Sequence, residues 1–193
     1  LAPIVGQQVT LRFDNGGLDT DIPPRVKTML ARSGKSYATP EQPGAKECDV
    51  VVKGIENGIA RGWAYLPDSR TFVSDSAADP VLTLGEMRDI VLRETELTLT
   101  CAPPGSLQRM ALDRDRDGIL DGDDLCPAAY DPDQLDSDGD GIADACDNCT
   151  AIPNPGQRDS NGHGYGNPCD ADLNNDGTTD STDLVMFRSA LGT

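Results

Sequence analysis

The stretch DSDGDGIADACDNC, residues 136–149, sets five aspartates and two cysteines within fourteen positions. Like charges packed so closely repel. At ~4 Å two unit charges cost about 1 kcal/mol in water and about 4 kcal/mol at a surface-like dielectric. A few such pairs rival the whole stability of a small domain, about 5–15 kcal/mol. A chain carrying this stretch therefore either leaves it unfolded or folds it around positive charge. The choice of acid is equally constrained. Residues 113–193 carry 19 acidic side chains, all Asp, against 4 basic ones, a balance of −15, whereas residues 1–112 carry 14 against 12, or −2. Selection for charge alone mixes Asp and Glu, so the uniform short side chain points to local geometry. The formal net charge of −17 argues against nucleic acid or an anionic membrane as partner.

The acidic half is a repeat. CPAAYDPDQLDSDGDGIADACDN, residues 126–148, aligns over CTAIPNPGQRDSNGHGYGNPCDA, residues 149–171, with a period of 23 and no gaps. Shifting back by 23 lays DRDRDGILD, residues 113–121, on DSDGDGIAD, residues 136–144. A period of this size marks an array whose units depend on their neighbours.

Each unit contains a twelve-residue ligand loop. In DSDGDGIADACD, positions 1, 3, 5, 9 and 12 are Asp136, Asp138, Asp140, Asp144 and Asp147. Gly141 at position 6 permits a sharp turn, and the carbonyl of Ile142 at position 7 supplies a further oxygen. This is EF-hand logic with Asp in place of the final Glu. Calcium takes six to eight hard oxygens at about 2.3–2.6 Å, and short Asp arms on a curling backbone reach inward where Glu overshoots. The same template selects Asp113, Asp115, Asp117, the Ile119 carbonyl, Asp121 and Asp124 around Gly118. It selects Asp159, Asn161, Asn167 and Asp170 in the next unit, with His163 at position 5, where nitrogen is a poor calcium ligand. A fourth loop offers Asp172, Asn174, Asp176, the Thr178 carbonyl, Asp180 and Asp183 around Gly177. The cofactor expected is Ca2+, at about four ions or more.

Six cysteines, Cys48, Cys101, Cys126, Cys146, Cys149 and Cys169, accompany an aromatic content of only 4%. An even count beside a modest core suggests disulfides and an oxidising, extracytoplasmic location. Cys126 and Cys146 are 20 residues apart, as are Cys149 and Cys169, so each repeat can close its own bridge. A loop of that size contributes ~3 kcal/mol in the chain-entropy model. Zinc is the competing use, because CDNC at 146–149 is a C-x₂-C, although a zinc ribbon calls for a second such pair. No apolar run approaches the ~18 residues of a membrane span, and no signal peptide is visible. The opening at Leu1 reads as a mature product or a piece of a longer secreted polypeptide.

The first half reads as short strands between turns. QQVTLRF (7–13) alternates and runs into DNGG; CDVVVKGI (48–55), IARGWAYL (59–66), RTFVS (70–74) and LTLTC (97–101) follow. Helices are expected at PPRVKTMLARSG (23–34), between prolines and Gly34, and at TLGEMRDIVLRETE (83–96), where Thr83 and Glu86 form a capping box. Cys48 begins the strand 48–55 and Cys101 ends the strand 97–101, so a bridge between them staples these two strands together. Trp63, Val50–Val52 and Leu97–Leu99 read as core. The apolar start LAPIVGQQVTLRF is either an ordinary first strand or a segment that pairs with a neighbouring molecule's sheet edge. With one histidine, His163, set in a calcium-type loop, Ser-His-Asp and Cys-His machinery has no basis. No HExxH, P-loop or strand-borne GxGxxG occurs either, and the chain reads as no enzyme.

Residues 113–170, through DRDRDGILDGDDLCP, DSDGDGIADACDNC and NPGQRDSNGHGYGNPCD, resemble thrombospondin type 3 repeats. The resemblance implies almost no conventional core, a chain wound around calcium with stapling disulfides, and service in extracellular matrix and adhesion proteins. DLNNDGTTDSTDLVMFRSALGT, residues 172–193, resembles one type I dockerin repeat, a calcium loop followed by a helix. That likeness places Ser181 and Thr182 at positions that contribute to cohesin recognition. Because a full dockerin has two such repeats, the segment is expected to be a calcium cap whose Leu184, Val185, Phe187 and Leu191 pack back on the array, with cohesin recognition as the alternative.

The expected organisation is a mostly β, small sandwich-like domain with one or two short helices (1–109), irregular calcium-wrapped, disulfide-stapled repeats (110–171), and a calcium loop with a short helix (172–193). The expected role is a secreted calcium-binding structural module, a subunit of an extracellular filament or the stalk of a surface adhesion protein. Its partners are itself or another extracellular protein, with no nucleic acid and no membrane insertion. The alternative is a dockerin-like anchoring module of a larger secreted enzyme, for example one that degrades polysaccharide.

Overall fold

A computed structural model describes residues 4–12, 23–37, 45–94 and 96–192. The chain forms two compact units, Leu1–Tyr130 and Asp131–Thr193. The division expected after residue 109 falls inside the first unit, which also contains the loop 113–124.

In the first unit the elements are β1 (Gln8–Arg12), α1 (Pro24–Ser33), β2 (Ser36–Tyr37), β3 (Ala45–Lys46), β4 (Asp49–Glu56), β5 (Ile59–Leu66), β6 (Thr71–Ser74), β7 (Leu82–Thr83), α2 (Leu84–Glu94) and β8 (Glu96–Ala102). A π-helical turn follows at Gln108–Leu112. Six strands make one antiparallel sheet in the order β1-β8-β4-β5-β6-β7, and β2 pairs with β3 separately. The DNGG turn and Phe13 lie outside the described residues. β1 is an edge strand paired to β8 of its own chain, Val9 opposite Leu99.

Period-two alternation splits the sheet's side chains between two faces. On one face Val50, Val52, Trp63, Tyr65, Phe72, Leu97 and Leu99 pack with Val26, Met29 and Leu30 of α1 and Met87, Ile90 and Val91 of α2. On the other, Val51 and Ala64 pack with Ala102 and Ala111 beneath Leu107, Met110 and Leu112. The sandwich-like expectation is therefore corrected: among the described residues both covering layers are helical, not a second sheet. On the first face α1 and α2 present apolar residues at helical spacing that a β layer would otherwise have to supply, and on the other the π-helical turn brings Ala111 and its neighbours. The expected capping box starts α2, with the Thr83 amide donating to Glu86 Oε2 at 2.7 Å and the Glu86 amide to Thr83 Oγ1 at 3.3 Å. The π-helical turn was not legible, since its close approach depends on Gly62. A Cβ there would lie 2.1 Å from the Ala111 carbonyl oxygen. Cys48 and Cys101 are bonded across β4 and β8, Cα atoms 5.5 Å apart, and both are fully buried.

Around β5 and β6, Arg61 donates to Asp75 Oδ1 at 2.8 Å, to Ser74 Oγ at 2.6 Å and also to Asp79. The Ser74 hydroxyl, and then the Arg61 guanidinium, hold the Asp79 carboxyl below the usual carboxylate range. Its stabilisation is thus complete above the pKa of a free Asp, about 3.9, and is lost as pH falls through the lower folded value. In acid unfolding followed by Trp63 fluorescence, Asp79→Asn is expected to flatten the loss of stability below about pH 4. Identical slopes for the two proteins would contradict that assignment.

The second unit is built differently. Its described residues form turns and one helix, α3 (Ser181–Leu191). Ala143 and Cys149 are the only buried apolar residues described there.

Candidate metal centre

The four ligand loops share one backbone path. Position 4 is left-handed in each: Arg116 (φ 68°), Gly139 (78°), Gly162 (74°) and Asn175 (59°). Position 6 is left-handed again: Gly118 (101°), Gly141 (94°), Gly164 (97°) and Gly177 (87°), which is why glycine stands there in all four. This curl turns amides onto the position-1 carboxylate. Asp136 takes the amides of Gly139 at 2.7 Å and Gly141 at 2.9 Å, and Asp159 those of Gly162 at 2.7 Å and Gly164 at 2.8 Å. Asp113 takes Arg116 N at 2.6 Å, and Asp172 takes Gly177 N at 2.7 Å.

Position 5 is held likewise by the amide of position 7: Asp117 by Ile119 at 2.7 Å, Asp140 by Ile142 at 2.9 Å and Asp176 by Thr178 at 3.0 Å. Position 9 reaches back to the amide of position 2, Asp121 to Arg114 at 2.7 Å, Asp144 to Ser137 at 2.9 Å and Asn167 to Ser160 at 2.9 Å. Position 12 accepts the amide two residues on, Asp124 from Cys126 at 2.7 Å, Asp147 from Cys149 at 2.8 Å and Asp170 from Asp172 at 2.7 Å. In the last loop Asp180 and Asp183 instead form the capping box that starts α3, and Asp183 accepts the Asn174 amide at 3.2 Å.

Two loops gather their acids most closely. One oxygen each of Asp113, Asp115 and Asp117 lie within 4.8 Å of one another, as do those of Asp136, Asp138 and Asp140. Burial, with the neighbouring carboxylates adding to it, pushes the carboxyls of Asp115 and Asp138 up. In contrast the Gly141 and Gly139 amides hold Asp136 down. Asp115 Oδ2 and Asp138 Oδ2 are buried without a hydrogen-bond partner. A buried orphan acceptor facing further carboxylates calls for a cation, and an all-oxygen donor set suits a hard one. These residues fit calcium. Asp138→Asn is expected to weaken calcium binding at the loop 136–147 by about tenfold, since affinity follows ligand charge, while titration at the loop 113–124 stays unchanged.

The loop 113–124 rests on the sheet of its own unit. Gly122 N donates to the Asp75 carbonyl at 2.7 Å, and Asp123 accepts from Ser76 Oγ and Ala77 N, each at 2.7 Å. Asp121 Oδ2 lies 3.9 Å from Lys53 Nζ. Nothing local in the sequence signals that docking.

Cys149 is bonded to Cys169, Cα atoms 5.8 Å apart, and Cys126 and Cys146 are disulfide-bonded as well. The zinc alternative for CDNC is thereby overturned, since its thiols are spent in disulfides. Two further residues join the second unit's sites. The Asn154 amide donates to Asp140 Oδ2 at 2.6 Å, and Gln157 Nε2 donates to Asp147 Oδ1 at 2.7 Å. The coincidence of Gln134 with Gln157 in the repeat was the available signal; their shared positive φ, 49° and 47°, gives it a physical basis. Ser181 and Thr182 are exposed in the first turn of α3. Leu184, Val185, Phe187 and Leu191 are 47–63% exposed, so the expectation that they pack back on the array is corrected.

Oxygen-lined loops, disulfides and a unit nearly without core define a calcium-binding repeat module. Residues 131–157 and 158–184 each match the model of the thrombospondin type 3 repeat, and these two segments are such repeats. The second match takes in the loop 172–183, and the loop 113–124 precedes the first. Thrombospondin type 3 repeats are extracellular calcium-binding modules of structural rather than catalytic type, and the disulfides agree with that setting. No curated protein and no solved structure matches the chain. Among the described residues no helix is long and apolar enough to cross a membrane.

Proposed function

We propose that this chain is a secreted structural module whose repeat segment wraps calcium, serving as a subunit of an extracellular filament or as the stalk of a surface adhesion protein. The observation that carries it is the pair of inward-facing carboxylate clusters, each with an orphaned buried oxygen, on a backbone path common to four loops. Self-association or attachment to another extracellular protein supplies its partner. Sedimentation velocity of the oxidised chain in millimolar calcium, repeated after chelation, tests the role. Large assemblies that collapse on chelation support the filament. A compact monomer that expands without calcium rules out self-assembly and leaves the stalk. No response to chelation overturns the calcium module.

A second reading, an anchoring module of a larger secreted enzyme, is favoured by the exposed apolar residues of α3 beside Ser181 and Thr182. Binding to a cohesin-type domain, abolished in a Ser181→Ala, Thr182→Ala variant that still takes up calcium, is its expected signature.

A further inference from the structure

The loop 159–170 is built on the opposite chemistry from the loops 113–124 and 136–147. There, positions 3 and 5 are carboxylates that face other carboxylates. Here, positions 3 and 5 are donors that face an acceptor at position 12. Asn161 Nδ2 donates to Asp170 Oδ2 at 3.3 Å, and His163 Nε2 lies 3.2 Å from Asp170 Oδ1. Nε2 thus carries a proton toward Asp170, while Nδ1 faces both the Tyr165 amide at 3.4 Å and the Asp159 Oδ1 carboxylate oxygen at 3.8 Å. A neutral imidazole suffices for this bond. The Tyr165 ring packs edge-on against the imidazole, centroids 5.5 Å apart, and steadies that orientation.

Asp170 therefore has a donor from inside the loop at each oxygen, and Asp159 is held by the amides of Gly162 and Gly164. The carboxylates number two, Asp159 and Asp170, where the loop 136–147 has five. Calcium affinity follows the count of charged oxygen ligands, so this donor set does not fit the ion. The loop 172–183 differs again. An Asn174 amide rotated by half a turn presents oxygen, whereas an imidazole has none in any orientation.

We propose that the loop 159–170 holds no calcium ion, and that Asn161 and His163, donating to Asp170, close it in the ion's place. This contrast rests on the reading of the other loops as calcium sites.

The test counts ions on the full oxidised chain by native mass spectrometry or equilibrium dialysis, in the wild type and in an Asn161→Asp, His163→Asp variant. The variant is expected to bind at least one more calcium ion than the wild type. Equal counts overturn the proposal. A wild-type count of zero overturns the broader calcium reading and this contrast with it, and is told apart by that zero. Should the variant fail to fold, the wild type answers alone, because His163 is the chain's single histidine. Its ring ¹⁵N resonances are expected to show a proton held on Nε2 with and without saturating calcium. Loss of the Nε2 proton or a large ring-nitrogen shift on adding calcium shows the ion in this loop and overturns the proposal.

Discussion

Chelating calcium from the full chain is expected to unfold residues 131–193 while the sheet of the first unit persists. The second unit buries only Ala143 and Cys149 among its described apolar residues, too little to offset the conformational entropy of ordering it. Its carboxylates add repulsion in place of cohesion, as at Asp138, whose carboxyl is pushed up by burial and further by the charges of Asp140, Asp147 and Asp136. Calcium at a hundred times its dissociation constant contributes about 2.7 kcal/mol per site, so its removal lowers amide protection by about a hundredfold or more. Hydrogen exchange read by residue separates the units. Protection in 136–147 and 172–183 is expected to collapse. Trp63, the single tryptophan and buried in the first unit, keeps its emission. Protection that survives in chelator would mean that the carboxylates are balanced by something other than a metal.

The second large effect concerns the first unit. Replacing Cys48 and Cys101 together by alanine is expected to cost about 4 kcal/mol and to lower its melting temperature by about 15 °C. The bridge closes a separation of 53 residues, and it ties the start of β4 to the end of β8, where Val50 stands opposite Cys101. The Cys48 and Cys101 side chains are fully buried, whereas Cys169 is partly exposed. Graded reductant, followed by alkylation and peptide mapping, should therefore open Cys149–Cys169 well before Cys48–Cys101. Reduction in the reverse order would show that the core bridge is reached by local opening.

The site was the more legible part of the molecule. Each ligand loop is twelve contiguous residues, and its hydrogen bonds run from one side chain to amides two to seven residues away, as in Asp136 to Gly139 and Asp144 to Ser137. Aspartate spacing and glycine placement therefore carry that geometry in the chain itself. The strands 48–55 and 59–66 and both helices of the first unit were legible for the same reason, through alternation and capping. The direction of His163 was not, because it turns on which groups face it, Asp170 on one side and the Tyr165 amide and Asp159 on the other.

By itself, then, the sequence determined the repeated calcium-type loops, the even set of cysteines, and the division of chemistry between an ordinary β-rich half and an acidic half. These are properties of neighbours along the chain. Only the tertiary structure decided the strand order β1-β8-β4-β5-β6-β7, the helical cover on both faces of the sheet, and the seating of the loop 113–124 on Asp75 through Gly122. It also decided that the apolar residues of α3 face outward. Those features depend on contacts between residues roughly 50 positions apart, as in Gly62 beneath Ala111 and Asp49 opposite Ala102, and on packing that no local pattern encodes.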